Sequence, residues 1–315
     1  MPKPQTYDDV TAFAPATVAN VAIGFDILGH TVEAVGDKVR IQRIAVPEVR
    51  IRQITGIAGE LPVEPERNTA GRAVQAMHQA LKLPFGFELS IDKGIPLSSG
   101  MGGSAASAVA AVVAANALLE TPLTRLQLLK FAIQGEIIAS GSVHVDNIAP
   151  SLFGGLVLTV GIDHPRIKQI PVPKMVRCVL VHPHMHLGTR EARAILKASV
   201  TRSDFVWQTA NLAGFISGCY SNDLEMIHDS FNDVIIEPQR HSLIPGFKDV
   251  KRGAMSAGAL GCSISGAGPT IFAWAEFQNA EAVRGAMAAA FAANGLQSDG
   301  WISRVEIYGA RVVKA

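Results

Sequence analysis

Apolar and polar residues alternate through Val39–Ile44 and Val49–Ile54, and both stretches are rich in β-branched side chains. That pattern predicts half-buried antiparallel strands. Asn68 to Leu81 carries a helical period and ends near Pro84, and Phe85–Ile91 again reads as strand. A glycine- and serine-rich loop then leads into an alanine-rich helix reaching about Leu119. Thr124 to Gly141 predicts a second helix, with Thr124 placed to cap it and Gly141 to stop it. Leu152–Val160 reads as a strand opened by Gly154 and Gly155, and Val176–His182 as another. Helices follow around Arg190–Ala198, Phe205–Ser221, Leu224–Ser230, Lys248–Ala257 and Ala280–Asn294, with strands at Ser263–Ser265, Thr270–Ala275 and Ser303–Tyr308. The elements mix without strict alternation, so an α+β fold is expected rather than a doubly wound sheet. The proline-spaced stretch Pro165–Pro173 is the expected boundary, giving domains over 1–165 and 166–315.

Composition narrows the function classes. The 315 residues are 48% apolar and 17% charged, as in a compact globule, and the net charge is +1. No bulk electrostatic partner such as nucleic acid or anionic lipid is expected. The three cysteines are far apart and form no CxxC pair, so neither a disulfide framework nor a zinc knuckle is supported and a reducing compartment is expected. MPKPQTYDDV has no apolar core of a signal peptide, and the run Ala105 to Ala115 is too short and too rich in alanine to span a bilayer. A cytoplasmic protein without membrane contact is expected.

Ile95 to Asn116, "IPLSSGMGGSAASAVAAVVAAN", contains no charged side chain. Gly100, Gly102 and Gly103 free the backbone for unusual dihedrals and close approach to a ligand. Ser104 then opens a helix whose first turn offers free N–H groups and the positive end of its dipole. Such a segment can bind an anion through backbone alone, or can simply be a tight loop before a buried helix. It is neither a Walker loop nor a GxGxxG dinucleotide fingerprint. Lys93, just outside it, is the rival charge donor.

Other polar residues sit in apolar company. Leu129, Ala132, Ile133, Ile137 and Ser140 form one helical stripe, and Glu136 falls on that same face, where a carboxylate needs a partner, a proton or a metal. With Ser104 it offers the carboxylate and hydroxyl that suit Mg²⁺ beside phosphate. Asn20 and Asp26 lie in "APATVANVAIGFDILG", and His144, Asp146 and Asn147 cluster before Pro150, as a nucleophile-positioning group or a polar turn. "SISGAGPTIFA" by itself is a hairpin signal. Arg193 and Arg240 are of the type suited to two-pronged carboxylate recognition. "HPHMH" (His182 to His186) lacks accompanying zinc ligands and reads better as solvated strand-end histidines.

Pro15–Gly29, Pro96–Ala106 and Ser265–Pro269, in that order, resemble the three motifs of the GHMP small-molecule kinases. "GEIIASGSVHVDNIAPSLFGG", "TREARAIL", "NLAGFISGCYSND" and "DVIIEPQRHSLIPGF" resemble the family's homoserine-phosphorylating branch, and the resemblance runs through nearly the whole chain. It implies a two-domain α+β fold with ATP and substrate between the domains, and phosphoryl transfer to the hydroxyl of L-homoserine in threonine biosynthesis. By motif, Pro96, Leu97, Ser98, Ser99, Gly100, Met101, Gly102, Gly103, Ser104, Ala105 and Ala106 would wrap the ATP phosphates. Ser104 and Glu136 would hold Mg²⁺, and Asn68 would serve the adenine side. Asn20, Asp26, Asn147, Thr189, Arg193 and Arg240 would line the homoserine pocket, with the arginines suited to its carboxylate and Asp26 with Asn20 to its ammonium. Gly266 and Gly268 would bring backbone against the ligands. Asp26, Asp146 and Asn147 are the candidate catalytic residues, and a homodimer is left open. The chain departs from the family at Gly103, where serine is usual, and at Ala22, where glycine is frequent. A mevalonate- or sugar-directed member, or a catalytically silent amino-acid-binding relative, are the alternatives.

Overall fold

The computed structural model describes residues 8–57, 61–140, 145–161, 165–305 and 308–314. The chain opens with β1 (Asp9–Ala19), β2 (Leu28–Ile44) and β3 (Val49–Gly56), then α1 (Thr69–Leu81) and β4 (Gly86–Lys93). Next come α2 (Gly103–Ala117), α3 (Arg125–Ser140), α4 (Val145–Phe153), β5 (Leu156–Val160) and β6 (Arg166–Ile170). These strands, with the late β11 (Arg311–Lys314), form one sheet in the order β11-β1-β2-β4-β3. The 17-residue β2 is long enough for two partners on the edge away from β1, pairing with β5 at Leu28–His30 and with β4 from Lys38 to Ile44.

A second, four-stranded antiparallel sheet has the order β10-β7-β9-β8, from β7 (Val176–Pro183), β8 (Ala259–Ile264), β9 (Ile271–Glu276) and β10 (Ser298–Arg304). Its helices are α5 (Thr189–Ala194), α6 (Arg202–Ser221), α7 (Leu224–Ser230), α8 (Glu237–Arg240), α9 (Phe247–Ser256) and α10 (Ala280–Ala293).

Alanine dominates α2 because nearly its whole circumference is buried, under β1 and β2 on one side and against α1 and α3 on the other. A larger side chain there would push the layers apart. The main core is continuous from this layer into the inner face of the second sheet, where Trp274 and Phe272 meet Phe215 and Phe231. A second core packs the other face of that sheet on α9 and α10. Trp274 Nε1 donates to the buried His30 Nε2 at 3.1 Å, joining the two sheets directly. Burial pushes the His30 imidazole down to about 4, so it stays neutral as that acceptor.

Several expectations change. β3 runs parallel to β4, with β4 between it and β2, so the two early strands do not pair with each other. α4 occupies residues read as a turn and the start of a strand. β6 pairs with β5, so a boundary after residue 165 cuts a hairpin, and β11 returns the chain to the first sheet. Gly141 and His144 lie outside the described residues. Among the described residues no helix is long and apolar enough to cross a membrane.

Candidate active site

A cavity of about 570 Å³ opens between the two halves, and most of the polar residues singled out above face it. The loop between β4 and α2 forms its floor. Gly100 and Gly102 take positive φ of 78° and 69°, and so does Ser98 at 52°. Gly102 immediately precedes α2, so the free N–H groups of that helix's first turn lie at the cavity wall. A Cβ at Gly102 would meet Thr17 Oγ1 at 2.1 Å and Asn147 Oδ1 at 2.8 Å. Glycine is therefore required twice over, for dihedral and for space.

The loop is pinned at both ends by a buried network that no motif suggested. Asp37, on β2, accepts from the N–H groups of Gly94 (3.0 Å) and Ile95 (3.2 Å) through Oδ1. Its Oδ2 accepts from Ser107 Oγ (2.6 Å) and from Lys93, whose Nζ also donates to Gly103 O and Ser107 Oγ, each at 2.8 Å. Lys93 and Asp37 are both fully buried or nearly so. Lys93 is thus no bystander outside the loop: removing it would strand the Asp37 carboxylate without its counter-ion.

Glu136 is buried at the cavity wall and hydrogen-bonded by Ser104. Burial pushes its carboxyl up to about 7, opposed by the Ser104 hydroxyl and the Lys93 charge. The expected stripe is bent, since Gly135 is buried while Ile137 is 38% exposed. Asn68 caps α1, accepting from Ala70 and Gly71 N–H, and also lines the cavity.

The turn between β1 and β2 carries the remaining polar groups. Asn20, Val21, Ala22 and Asp26 all have positive φ, at 70°, 44°, 60° and 62°. Four non-glycine residues in that region store strain, which marks functional turns. The Asn20 carboxamide braces the turn, accepting from Asp26 N–H and donating to Gly266 O. Arg193 then grips Asp26 with both terminal guanidinium nitrogens, at 2.6 and 3.1 Å. Arg240 is buried and donates to Ala192 O and Gly266 O, and burial together with nearby Arg193 pushes its guanidinium down to about 10.

Asp146 lies on the cavity wall, buried, with no hydrogen-bond partner at Oδ1 among the described residues. Burial and the neighbouring Asp26 charge push its carboxyl up to about 7. Asn147, beside it, accepts from Thr17 Oγ1 at 2.7 Å, which fixes the orientation of its amide.

Of the residues expected at the site, Asn20, Asp26, Asn68, Pro96, Leu97, Ser98, Ser99, Gly100, Gly102, Gly103, Ser104, Glu136, Asp146, Asn147, Thr189, Arg193, Arg240 and Gly266 line the cavity. Met101, Ala105 and Ala106 do not. They are fully buried beneath the loop, where they serve the core. Gly268 does not line it either, and a Cβ there would meet Ile244, Ile264 and Leu187. The third motif holds the other two together, through Ser265 Oγ to Gly100 O, Thr270 N to Ser99 O and Gly266 N to Ala19 O. Sequence reasoning missed Thr17, Phe25, Asp37 and Ser107. Asp37 had a signal: it stands on the inward side of the alternation Val35, Asp37, Val39, Ile41.

The three HPHMH histidines take separate partners. His182 is buried rather than solvated and bonds Thr270 Oγ1, while His184 pairs with Asp299 and His186 with Leu97 O.

Comparison with known proteins agrees with this architecture. The family model for the GHMP kinases N terminal domain matches residues 68–155, and that for GHMP kinases C terminal matches residues 215–293. A homoserine kinase of Xylella fastidiosa (strain M12) is 52% identical over 98% of this chain and 95% of its own. One from Chlorobium phaeobacteroides (strain BS1) is 44% identical over 96% and 99%. The crystal structure of homoserine kinase from Cytophaga hutchinsonii superposes with a TM-score of 0.95 at 42% identity, covering 98% of both chains. With a glycine-built loop and a buried acid on one cavity wall, and with matches of this extent, the chain belongs to the GHMP kinase family.

Proposed function

We propose that the chain is a homoserine kinase, transferring the γ-phosphoryl group of ATP to the side-chain hydroxyl of L-homoserine and yielding O-phospho-L-homoserine for threonine biosynthesis. The observation that carries the reading is the juxtaposition, in one cavity, of an uncharged backbone cradle and an Asn20–Asp26–Arg193–Arg240 cluster. The cradle suits polyphosphate. The cluster suits a small zwitterion, with arginines for its carboxylate and Asp26 with Asn20 for its ammonium. A neutral sugar has no carboxylate for the arginine pair to hold, which disfavours sugar acceptors.

Phosphoryl transfer passes through a loose transition state, so positioning and charge neutralisation carry most of the acceleration. The backbone N–H groups around Ser99–Ser104 would hold the phosphates, with Asn68 on the adenine side. Glu136 and Ser104 would hold Mg²⁺. One desolvated carboxylate and one hydroxyl beside a phosphate site is the sparse protein donor set this cation takes, and the bound ion would neutralise phosphate charge. Gripping the carboxylate at Arg193 and Arg240 would turn the substrate hydroxyl toward the cradle, next to Asn147 and Asp146. Asp146, buried with its carboxyl near 7, could take the hydroxyl proton as it leaves. The N-terminal sheet with α1–α4 carries the cradle, and the C-terminal α+β unit carries the arginines. Three buried free cysteines suit a reducing cytoplasm.

The test is ADP release measured with homoserine, mevalonate, galactose or no acceptor. The reading expects turnover with homoserine alone above the no-acceptor rate, and fails if another acceptor is preferred.

A further inference from the structure

We propose that Phe25 is a positioning residue of the acceptor pocket, whose ring gathers the Arg193 and Arg240 guanidinium groups into a single carboxylate clamp. This inference rests on the acceptor being an amino acid, as proposed above.

The two guanidinium carbons each stand 5.2 Å from the centroid of the Phe25 ring, within the range where a cation is drawn to an aromatic face. They arrive from different elements, Arg193 from α5 and Arg240 from α8, so local chain geometry does not bring them together. Their like charges oppose the approach, and Arg193 makes the Arg240 charge costlier. Asp26 offsets part of the cost at both, with Asp233 and Asp146 adding to that offset at Arg240. It binds Arg193 through both oxygens, whereas Arg240 donates only to backbone carbonyls among the described residues. The ring offers both cations one aromatic face.

Phe25 is not explained by packing. It is half-buried, lines the cavity, and is a member of neither hydrophobic core among the described residues. Its neighbours Val21, Ile23 and Leu28 are core residues, so the strained turn directs Phe25 away from the core and toward the arginines. A leucine would fill comparable space without an electron-rich face. The clamp would then splay under its own repulsion, and a substrate carboxylate would meet one guanidinium at a time.

The experiment compares the full-length protein with Phe25→Leu, Phe25→Tyr and a series carrying one, two or three ring fluorines at position 25. Fluorination withdraws electron density from the ring face while keeping its shape. Phe25→Leu is expected to raise the KM for homoserine about tenfold, since one such contact is worth roughly that factor. The KM for ATP should not move, kcat should change by less than about threefold, and Phe25→Tyr should restore the wild-type KM. The KM should climb stepwise with fluorination. A flat fluorine series, or a tyrosine variant as impaired as leucine, would overturn the clamp in favour of simple packing. A parallel rise in the KM for ATP would overturn it in favour of a general disturbance. A second readout needs no acceptor: the Nε–H signals of Arg193 and Arg240 in ¹⁵N-arginine spectra should be ring-current shifted, and lose that shift in Phe25→Leu. Shifted signals in a protein that does not turn over homoserine would reject the substrate and keep the clamp. Unshifted signals in an active enzyme would do the reverse.

Discussion

Replacing Gly102 by alanine tests whether the loop works through its backbone. The residue stands at φ 69° and ψ 29°, where a side chain costs about 1–2 kcal/mol. The new Cβ would also fall 2.1 Å from Thr17 Oγ1 and 2.8 Å from Asn147 Oδ1, the two atoms of a 2.7 Å hydrogen bond. Thr17 cannot retreat, being fully buried on β1 and tied by its N–H to Met101 O at 3.0 Å. Breaking that pair in a buried setting costs about 1–3 kcal/mol. The total, roughly 2–5 kcal/mol, leaves an ordinary domain folded but weakened. Because Asn147 and the cradle move together, turnover should fall on the order of a hundredfold, the usual effect of an ångström of misplacement. Urea unfolding and ATP titration measure the two losses. The decisive control is Thr17→Ala, which removes the obstructing oxygen. In that background Gly102→Ala should cost the dihedral strain and the milder approach to Asn147 Oδ1, with no Thr17 bond left to break, so the double mutant loses less than the sum of the singles. Equal losses in both backgrounds, or wild-type ATP affinity in Gly102→Ala, would refute the close-approach argument.

Glu136→Gln should nearly abolish ADP release while circular dichroism shows a native fold, because the amide keeps the shape and loses the charge a hard cation requires. Activity within about twofold of wild type would remove Glu136 from the site. Arg193→Lys should raise the KM for homoserine about tenfold and leave that for ATP alone, since lysine cannot repeat the two-pronged grip now made on Asp26. Asp146→Asn should make the protein more stable at pH 8 and no different at pH 3. The folded carboxyl ionises near 7 and the unfolded one near 3.9. Between those values the folded state holds a proton that the unfolded state has lost, so wild-type stability falls as pH rises from about 4 to 7. Denaturant midpoints across that range read the difference. Parallel wild-type and Asn curves would mean that Asp146 is not held protonated.

The parts of this account that were legible in the sequence are those written in local chemistry. Glycine density before Ser104 pointed to the loop at the cavity floor, and an acid on an apolar stripe pointed to the buried Glu136, because both signals sit within one turn or one helix. β1 was missed since Asp9–Ala19 is buried on both faces for most of its length and contains Pro15, so neither alternation nor composition reads as strand. α4 was missed for a similar reason: Pro150 lies inside it and discourages a helical reading. Alternation told which face of β3 is inward and nothing about its neighbour, so its parallel pairing with β4 was invisible. The same limit hid the Lys93–Asp37 pair. Each residue continues the inward alternation of its own strand, after Ile91 and before Val39, yet only the β2–β4 register brings them together. Phe25 looked like one apolar residue among several. Its role depends on two arginines more than 160 positions away in sequence, and no local pattern carries that distance.

The central claim is that the cavity holds an amino acid by its charged end and presents its hydroxyl to the phosphate cradle. Phosphorus NMR of the product formed from ATP and homoserine tests this directly. The account predicts a single new phosphate monoester, coupled to the side-chain methylene protons and stable to hydroxylamine. A hydroxylamine-sensitive acyl phosphate would mean that the carboxylate, not the hydroxyl, faces ATP. Free phosphate alone would mean that water is the acceptor, and either result would contradict the assignment of Arg193 and Arg240.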